Sequence, residues 1–256
     1  MTSLFGNLTT DGLEATEDRL GGNFGAIDTD VYTGKIKMAY AGQSAGGARS
    51  VTLILAGGDF GDREYRETIY ITNRKGENFY TKDGKKNQLP GFIQMNHLCQ
   101  VTVGKELHEM QGEDKMVNIY DPEQKKELPK SVPVLTELLG QEVSLAIVRS
   151  TESQTEKVGD AYVPKADGST RDVNNIDKVF HTASKMTVHE AQARQKNPDT
   201  VPEFWDKWVE RNKGVTRDKT TKAAGNGAAG RPGGGAPQSG GNSTGQAPRS
   251  SLFGGN

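Results

Sequence analysis

The segment from Arg63 to Lys86, REYRETIYITNRKGENFYTKDGKK, constrains this chain most, because basic and aromatic side chains alternate along it at the two-residue period of a β-strand. Tyr65, Glu67, Ile69 and Ile71 fall on one face and Arg66, Thr68, Tyr70, Thr72 and Arg74 on the other, so one side is expected buried and the other wet. Asn73, Arg74, Lys75 and Gly76 read as a turn and Phe79, Tyr80 and Thr81 as the returning strand, which makes one hairpin. A flexible single strand of nucleic acid needs such a surface, with rings for stacking and cations for phosphates. An ordinary solvated hairpin has a similar composition, since strands favour Tyr and Phe and surface Lys and Arg keep any protein soluble.

The distribution of charge favours the first reading. The net charge is −1, but residues 31–86 carry ten Lys or Arg against six Asp or Glu, while residues 87–160 carry seven against twelve. From Arg211 onward seven basic residues face one acid, Asp218. A locally basic body with a basic tail can bind phosphates despite a near-neutral total. Only 33% of the chain is hydrophobic and the mean hydropathy is −0.69, so part of it is expected to be unpacked. That part begins near Gly214, beyond which large apolar residues nearly vanish until Leu252 and Phe253, leaving about 190 residues for one core. The single Cys99 cannot form an internal disulfide and no charged leader followed by an apolar run opens the sequence, so a reducing, cytoplasmic setting is expected. The longest apolar run, Val143 to Val148, is far short of the ~20 residues that cross a bilayer, and no membrane role is expected.

Residues 1–25 read as a flexible arm. A first strand follows at Val31–Tyr40, with Tyr32, Ile36, Met38 and Tyr40 alternating against Thr33, Lys35 and Lys37 and a bulge or bend at Gly34. Arg49–Ala56 is a second strand, and Gly57, Gly58, Asp59 and Gly61 form a turn before the hairpin, which gives a meander of three or four strands. Leu89–Val103 has a helical period. Further on, Lys115–Tyr120 reads as a short strand, Leu128–Leu139 as a prolyl loop entering a helical turn, and Gln141–Ser150 as the best strand of the second half. Thr151–Asp172 reads as a long exposed loop or hairpin and Asn175–Val188 as a final strand. Asn197 to Glu203 signals a helix start, after which Phe204, Trp205, Trp208 and Val209 share one stripe that docks the helix on the body or binds a partner. Gly225–Asn256 has eleven Gly and three Pro in 32 residues and is expected to stay disordered. Ser251-Leu252-Phe253-Gly254 repeats Ser3-Leu4-Phe5-Gly6; this is chance or a pair of hooks, Leu4, Phe5, Leu252 and Phe253, for docking on a partner or on other copies of the chain.

Catalytic constellations are missing. His189-Glu190 lacks the second His of the helical zinc-protease pattern, and His97, His108 and His181 have no ligand spacing. Gly57, Gly58 and Gly61 are followed by no Lys-Ser or Lys-Thr, so they are not a phosphate-binding loop. The carboxylates of residues 106–127 fit a solvated acidic face. The expectation is a protein that is not an enzyme and has no metal site.

These elements match the plan of an OB-fold binder: a mainly β, OB-fold-like barrel of five or six strands with an inserted helix, a C-terminal helix and a disordered Gly-rich tail. The runs YTGKIKMAYAGQSAGGARSVTLIL and YRETIYITNRKGENFYTKDGKKNQLPGF resemble the single-stranded DNA-binding proteins of tailed double-stranded DNA phages, particularly lytic podoviruses, over about residues 26–190. The division expected is an arm (1–25), an OB-like domain (26–190), a C-terminal helix (191–213) and a basic Gly-rich tail (214–256). The resemblance implies a protein without cofactor, acting in the cytoplasm of an infected bacterial cell, that coats and protects transient single-stranded DNA. It also implies recruitment of replication and recombination proteins. Many such relatives end in an acidic tail closed by an aromatic residue, whereas here the tail is basic and Phe253 lies three residues from the end. The stacking candidates are Tyr32, Tyr40, Tyr65, Tyr70, Phe79 and Tyr80, with Tyr70 first because Arg66 and Arg74 flank it. Lys35, Lys37, Arg49, Arg66, Arg74, Lys75, Lys82, Lys85 and Lys86 are the phosphate candidates. Two rival roles are a virion or assembly protein and a transcription-associated factor that binds a polymerase through the Trp205–Trp208 helix.

Overall fold

The computed structural model describes residues 25–121, 124–159 and 161–221. In chain order the elements are β1 (Asp30–Gln43), β2 (Arg49–Ala56), β3 (Glu64–Tyr70), β4 (Phe79–Lys82), β5 (Lys85–Gln88), α1 (Pro90–Val103), β6 (Glu113–Asp121) and β7 (Lys126–Val134). They continue as β8 (Glu142–Ser153), β9 (Thr155–Val158), β10 (Ala161–Pro164), β11 (Thr170–Phe180), α2 (Val188–Lys196), α3 (Phe204–Asn212) and β12 (Arg217–Lys219). The protein is mainly β. Its principal sheet runs β11-β8-β1-β2-β3, every step antiparallel, with β12 added in parallel to β8 and the β6–β7 hairpin joined to β1 at the Tyr40–Val134 pair.

The core lies on one face of this sheet under α1. Ile36, Val51, Leu53, Leu55, Tyr65, Ile69, Val143, Leu145 and Ile147 meet Met95, Leu98, Cys99 and Val101 of the helix. The period of two in β2, β3 and β8 and the helical period of Leu89–Val103 put these residues on facing surfaces, as expected from the sequence. Gly34 lets Phe60 into this core, since a Cβ there would stand 2.7 Å from the ring. The bulge anticipated at Gly34 occurs instead between Ile36 and Met38. Its extra residue turns Met38 and Tyr40 to the face opposite Ile36, so the single alternation read along β1 is corrected.

Backbone pairing does not close the sheet into a barrel. Four antiparallel steps leave the outer strands β3 and β11 parallel, and side chains span the gap between them. The Ile176 N–H of β11 donates to Glu67 Oε2 of β3 at 3.1 Å, Tyr65 Oη–H donates to the same carboxylate, and Gln94 Nε2 of α1 donates to the Ile176 carbonyl. Burial raises the Glu67 carboxyl above its ordinary 4.5, against the lowering effect of these bonds. A raised native value means the folded state holds the proton more tightly, so this group's favourable contribution is present at low pH and is lost as pH rises through that value. Urea midpoints of wild type are therefore expected to fall relative to those of Glu67→Gln as pH rises above 4.5. Identical profiles would remove Glu67 as the source.

Two further expectations need correction. Arg63–Lys86 is not one hairpin: β3 pairs with β2, and β4 pairs with β5 in a separate two-stranded sheet. The Asn73 turn does form, its side-chain oxygen accepting from Lys75 N at 2.9 Å and Glu77 N at 3.0 Å. The space beside the end of β3 is filled by the first turn of α1 rather than by a returning strand, with Gly91 against the Tyr70 carbonyl. The expected prolyl loop at Leu128–Leu139 is strand β7 up to Val134, followed by a single helical turn at Thr136–Leu138.

Thr151–Asp172 is a hairpin, with β9 and β10 continuing from β8 and β11. β11 stops at Phe180, short of the Val188 expected, and α2 takes over at Val188 with a capping box between Thr187 and Glu190. In α3 Trp208 is buried against Ala146, Val148 and Phe180, and its indole N–H donates to Asp177 at 2.7 Å. Trp205 also packs on Phe180. Both tryptophans thus dock the helix on the sheet. The expectations for the arm, for the tail beyond residue 221 and for Leu4, Phe5, Leu252 and Phe253 lie outside the described residues.

Candidate nucleic-acid interface

The face of β1–β3 turned away from α1 is a grid of three rows set by register. Across the strands they read Met38-Ile54-Arg66, Tyr40-Thr52-Thr68 and Gly42-Ser50-Tyr70. The third row joins a glycine, a serine that is 5% exposed and Tyr70, which is 52% exposed. Strand β3 keeps the expected alternation there, with Tyr65 and Ile69 buried and Arg66, Thr68 and Tyr70 exposed.

Two arginines lie near the Tyr70 end of the sheet, though Arg49, alternating with Ser50, points to the face opposite Tyr70. Arg49 begins β2, and the backbone of the Tyr70 strand folds onto it: Ile71 N donates to the Arg49 carbonyl at 2.9 Å and Arg49 N to Thr72 Oγ1 at 2.8 Å. Arg74 leans on the glycine-rich β1–β2 connection, where a Cβ on Gly46 would lie 3.2 Å from its Nε. Arg66 sits two rows away and donates from Nη2 to Tyr40 Oη at 3.2 Å. Lys75 is exposed in the Asn73 turn.

The remaining candidates divide into two groups. Phe79, Tyr80, Lys82, Lys85 and Lys86 occupy the β4–β5 hairpin, with the three lysines exposed, both rings half-buried and Lys86 Nζ 4.4 Å from the Phe79 ring centre. Lys35 and Lys37 lie at the far end of β1, seven and five residues before Gly42, or roughly 16–23 Å at strand rise. Lys37 is paired there with Glu64. These two do not join the Tyr70 cluster.

Three of the proposed rings are already occupied. Tyr32 stacks on Phe60 with ring centres 5.6 Å apart, and Phe60 stacks on Tyr65 at 5.7 Å. Tyr32 Oη also donates to the Asp28 carbonyl at 2.9 Å, while burial and the charges of Asp30, Asp28 and Asp59 raise its phenol. Burial raises Tyr65 well above the ordinary value. Tyr40 is 6% exposed beside Val117 and Val134. Tyr32, Tyr40 and Tyr65 are therefore corrected from stacking surfaces to packing residues. Sequence reading missed two well-exposed rings, Tyr120 on β6 at 53% and Tyr162 on β10 at 72%, the latter opposite Lys157. Alternation along Glu113–Asp121 is the signal that could have found the first.

Elsewhere, titratable groups serve packing. The His97 ring meets His189 edge-on at 5.2 Å between α1 and α2, and burial, with smaller effects of His189 and Lys178, pushes it down to about 4. Cys99 is fully buried in α1, which pushes its thiol up to about 12. Among the described residues no group of three or more His, Cys, Asp or Glu side chains is placed to hold a metal ion, and no helix is long and apolar enough to cross a membrane. No family model matches the chain, and no curated protein matches it.

Proposed function

We propose that the protein binds single-stranded DNA without sequence specificity through the Tyr70 end of the β1–β3 outer face, coating transient single strands during phage DNA replication and recombination. The observation that carries this reading is one exposed ring, Tyr70, on the β3 face that also presents the exposed Arg66, with the exposed Arg74 in the turn that follows. A base could stack on the exposed Tyr70 ring, and its phosphates would meet the Arg66 and Arg74 guanidinium groups. The β4–β5 hairpin, with Phe79, Tyr80, Lys82, Lys85 and Lys86, would add a second group of rings and exposed cations on the chain that follows β3. Five antiparallel-stepped strands with parallel outer members and a helix between β3 and β8 support an OB-type barrel, spanned at its open seam by Glu67 rather than by backbone pairing. Binding of this kind needs no cofactor, and the protein acts as a binder rather than an enzyme in the cytoplasm of the infected host.

Tyr70→Ala is expected to cost about 1–3 kcal/mol of binding, or roughly fivefold to 150-fold in Kd, without loss of thermal stability. Arg74→Ala should weaken binding and also flatten its dependence on salt. Fluorescence titration of labelled oligo-dT at two salt concentrations reads both effects. Wild-type affinity in both variants would remove this face from the site, and no oligonucleotide affinity in the wild type would end the proposal.

A further inference from the structure

The open edge of β6 carries the inference. In the β6–β7 hairpin Asp114 stands opposite Pro133 and Asn118 opposite Pro129. Proline has no N–H, so neither pair can exchange the two bonds of a hydrogen-bonded antiparallel pair, and both are non-hydrogen-bonded positions. Alternation then aims the N–H and C=O groups of Asp114, Met116, Asn118 and Tyr120 away from β7. Among the described residues β6 has no second strand partner. Met116 and Tyr120, which share the face of Asn118, are 66% and 53% exposed.

We infer that β6 pairs antiparallel with β6 of a second copy of this chain, about a two-fold axis at Asn118. The outward-aimed residues must face one another, which allows only registers that match even-numbered positions. With Asn118 on the axis, Met116 of each copy lies across from Tyr120 of the other, Val117 from Ile119, and Lys115 from Asp121 of the second copy. Opposite charges and apolar pairs therefore meet twice each. Shifting the axis to Val117 sets Glu113 against Asp121 of the second copy twice and loses both features. A lysine in an edge strand ordinarily discourages pairing; in the Asn118 register Lys115, paired with Glu113 in its own strand, also lies across from Asp121, which Lys130 of its own chain holds at 3.1 Å. The pairing is isologous, as two-fold contacts are, and extends the β6–β7 ribbon from two strands to four. It is independent of the nucleic-acid reading.

Sedimentation equilibrium of the full chain over a concentration series should give a mass rising from one chain toward two. Asn118→Pro removes an outward N–H that β7 does not use, so it should raise the dimer dissociation constant about tenfold or more while leaving the melting of dilute protein unchanged. Asn118→Cys should cross-link into a covalent dimer under mild oxidation, because facing residues of a hydrogen-bonded pair have Cα atoms about 5.5 Å apart, within disulfide range. Met116→Cys, about 13 Å from its mate along the strand, should not. A single-chain mass throughout the micromolar range, or cross-linking at Met116→Cys in place of Asn118→Cys, would overturn the inference. So would wild-type dimerisation by Asn118→Pro.

Discussion

A Gly91→Ala protein is expected to lose stability and oligonucleotide affinity together. A Cβ at this position would lie 2.2 Å from the Tyr70 carbonyl oxygen and 3.0 Å from Ile69 Cγ2. The nearer obstacle is backbone, so relief requires α1 or the end of β3 to move. Overpacking costs typically about 1–3 kcal/mol, and a backbone obstacle places this substitution at the upper end of that range or beyond it. The strand end that must yield is the one that presents Tyr70, and so affinity for oligo-dT should fall at temperatures where the protein is still folded. Tyr70→Ala is the contrasting case, with affinity reduced and urea midpoint kept. Unaltered oligo-dT affinity in a destabilised Gly91→Ala protein would show that the α1–β3 contact does not hold the ring in place.

Trp208→Ala should give the largest loss of stability without a loss of affinity. The indole is 4% exposed and packs on Ala146, Val148 and Phe180. Truncating a buried tryptophan costs about 3–5 kcal/mol. The change also takes from Asp177 its indole donor, leaving Arg217 Nη1 at 3.3 Å. This cluster sits on β8 and β11, and β11 meets β3 through Glu67, which lies on the face of β3 opposite Tyr70, so titrations below the lowered melting temperature should return the wild-type Kd. An unchanged melting temperature would mean that α3 contributes little to the fold.

Local features of the fold were readable in the sequence where a single period decides them. The alternation in Glu64–Tyr70 and Val143–Val148 and the helical spacing of Met95, Leu98 and Val101 each place a residue on the observed side of its element. Tyr40 was misplaced because one extra residue between Ile36 and Met38 reverses every later side chain of β1, and nothing local marks that insertion. The pairing of Glu64–Tyr70 with β2, rather than with Phe79–Lys82, depends on α1 filling the space beside Tyr70, a contact about twenty residues distant in sequence. Pro129 and Pro133 read as loop residues but fit a strand, because they sit at non-hydrogen-bonded positions opposite β6, where a residue's N–H would point away from β6 and is not needed for the pairing. Of the candidate site, the exposure of Tyr70 and Arg66 follows from the alternation of β3, and that of Arg74 from the turn at Asn73, while Arg49 alternates with Ser50 to the opposite face of β2. Tyr32 and Tyr65 do not join them, since Phe60 recruits both into one internal stack.

The burial of Cys99 makes the protein convenient to probe. With its sulfur sealed inside α1 and its proton retained far above neutral pH, the native thiol is inert to maleimides and spin labels, which react with the thiolate. Cysteines introduced on β3, β6 or the β4–β5 hairpin can then be tagged selectively without first removing the natural one, and distances between them followed as oligonucleotide is added.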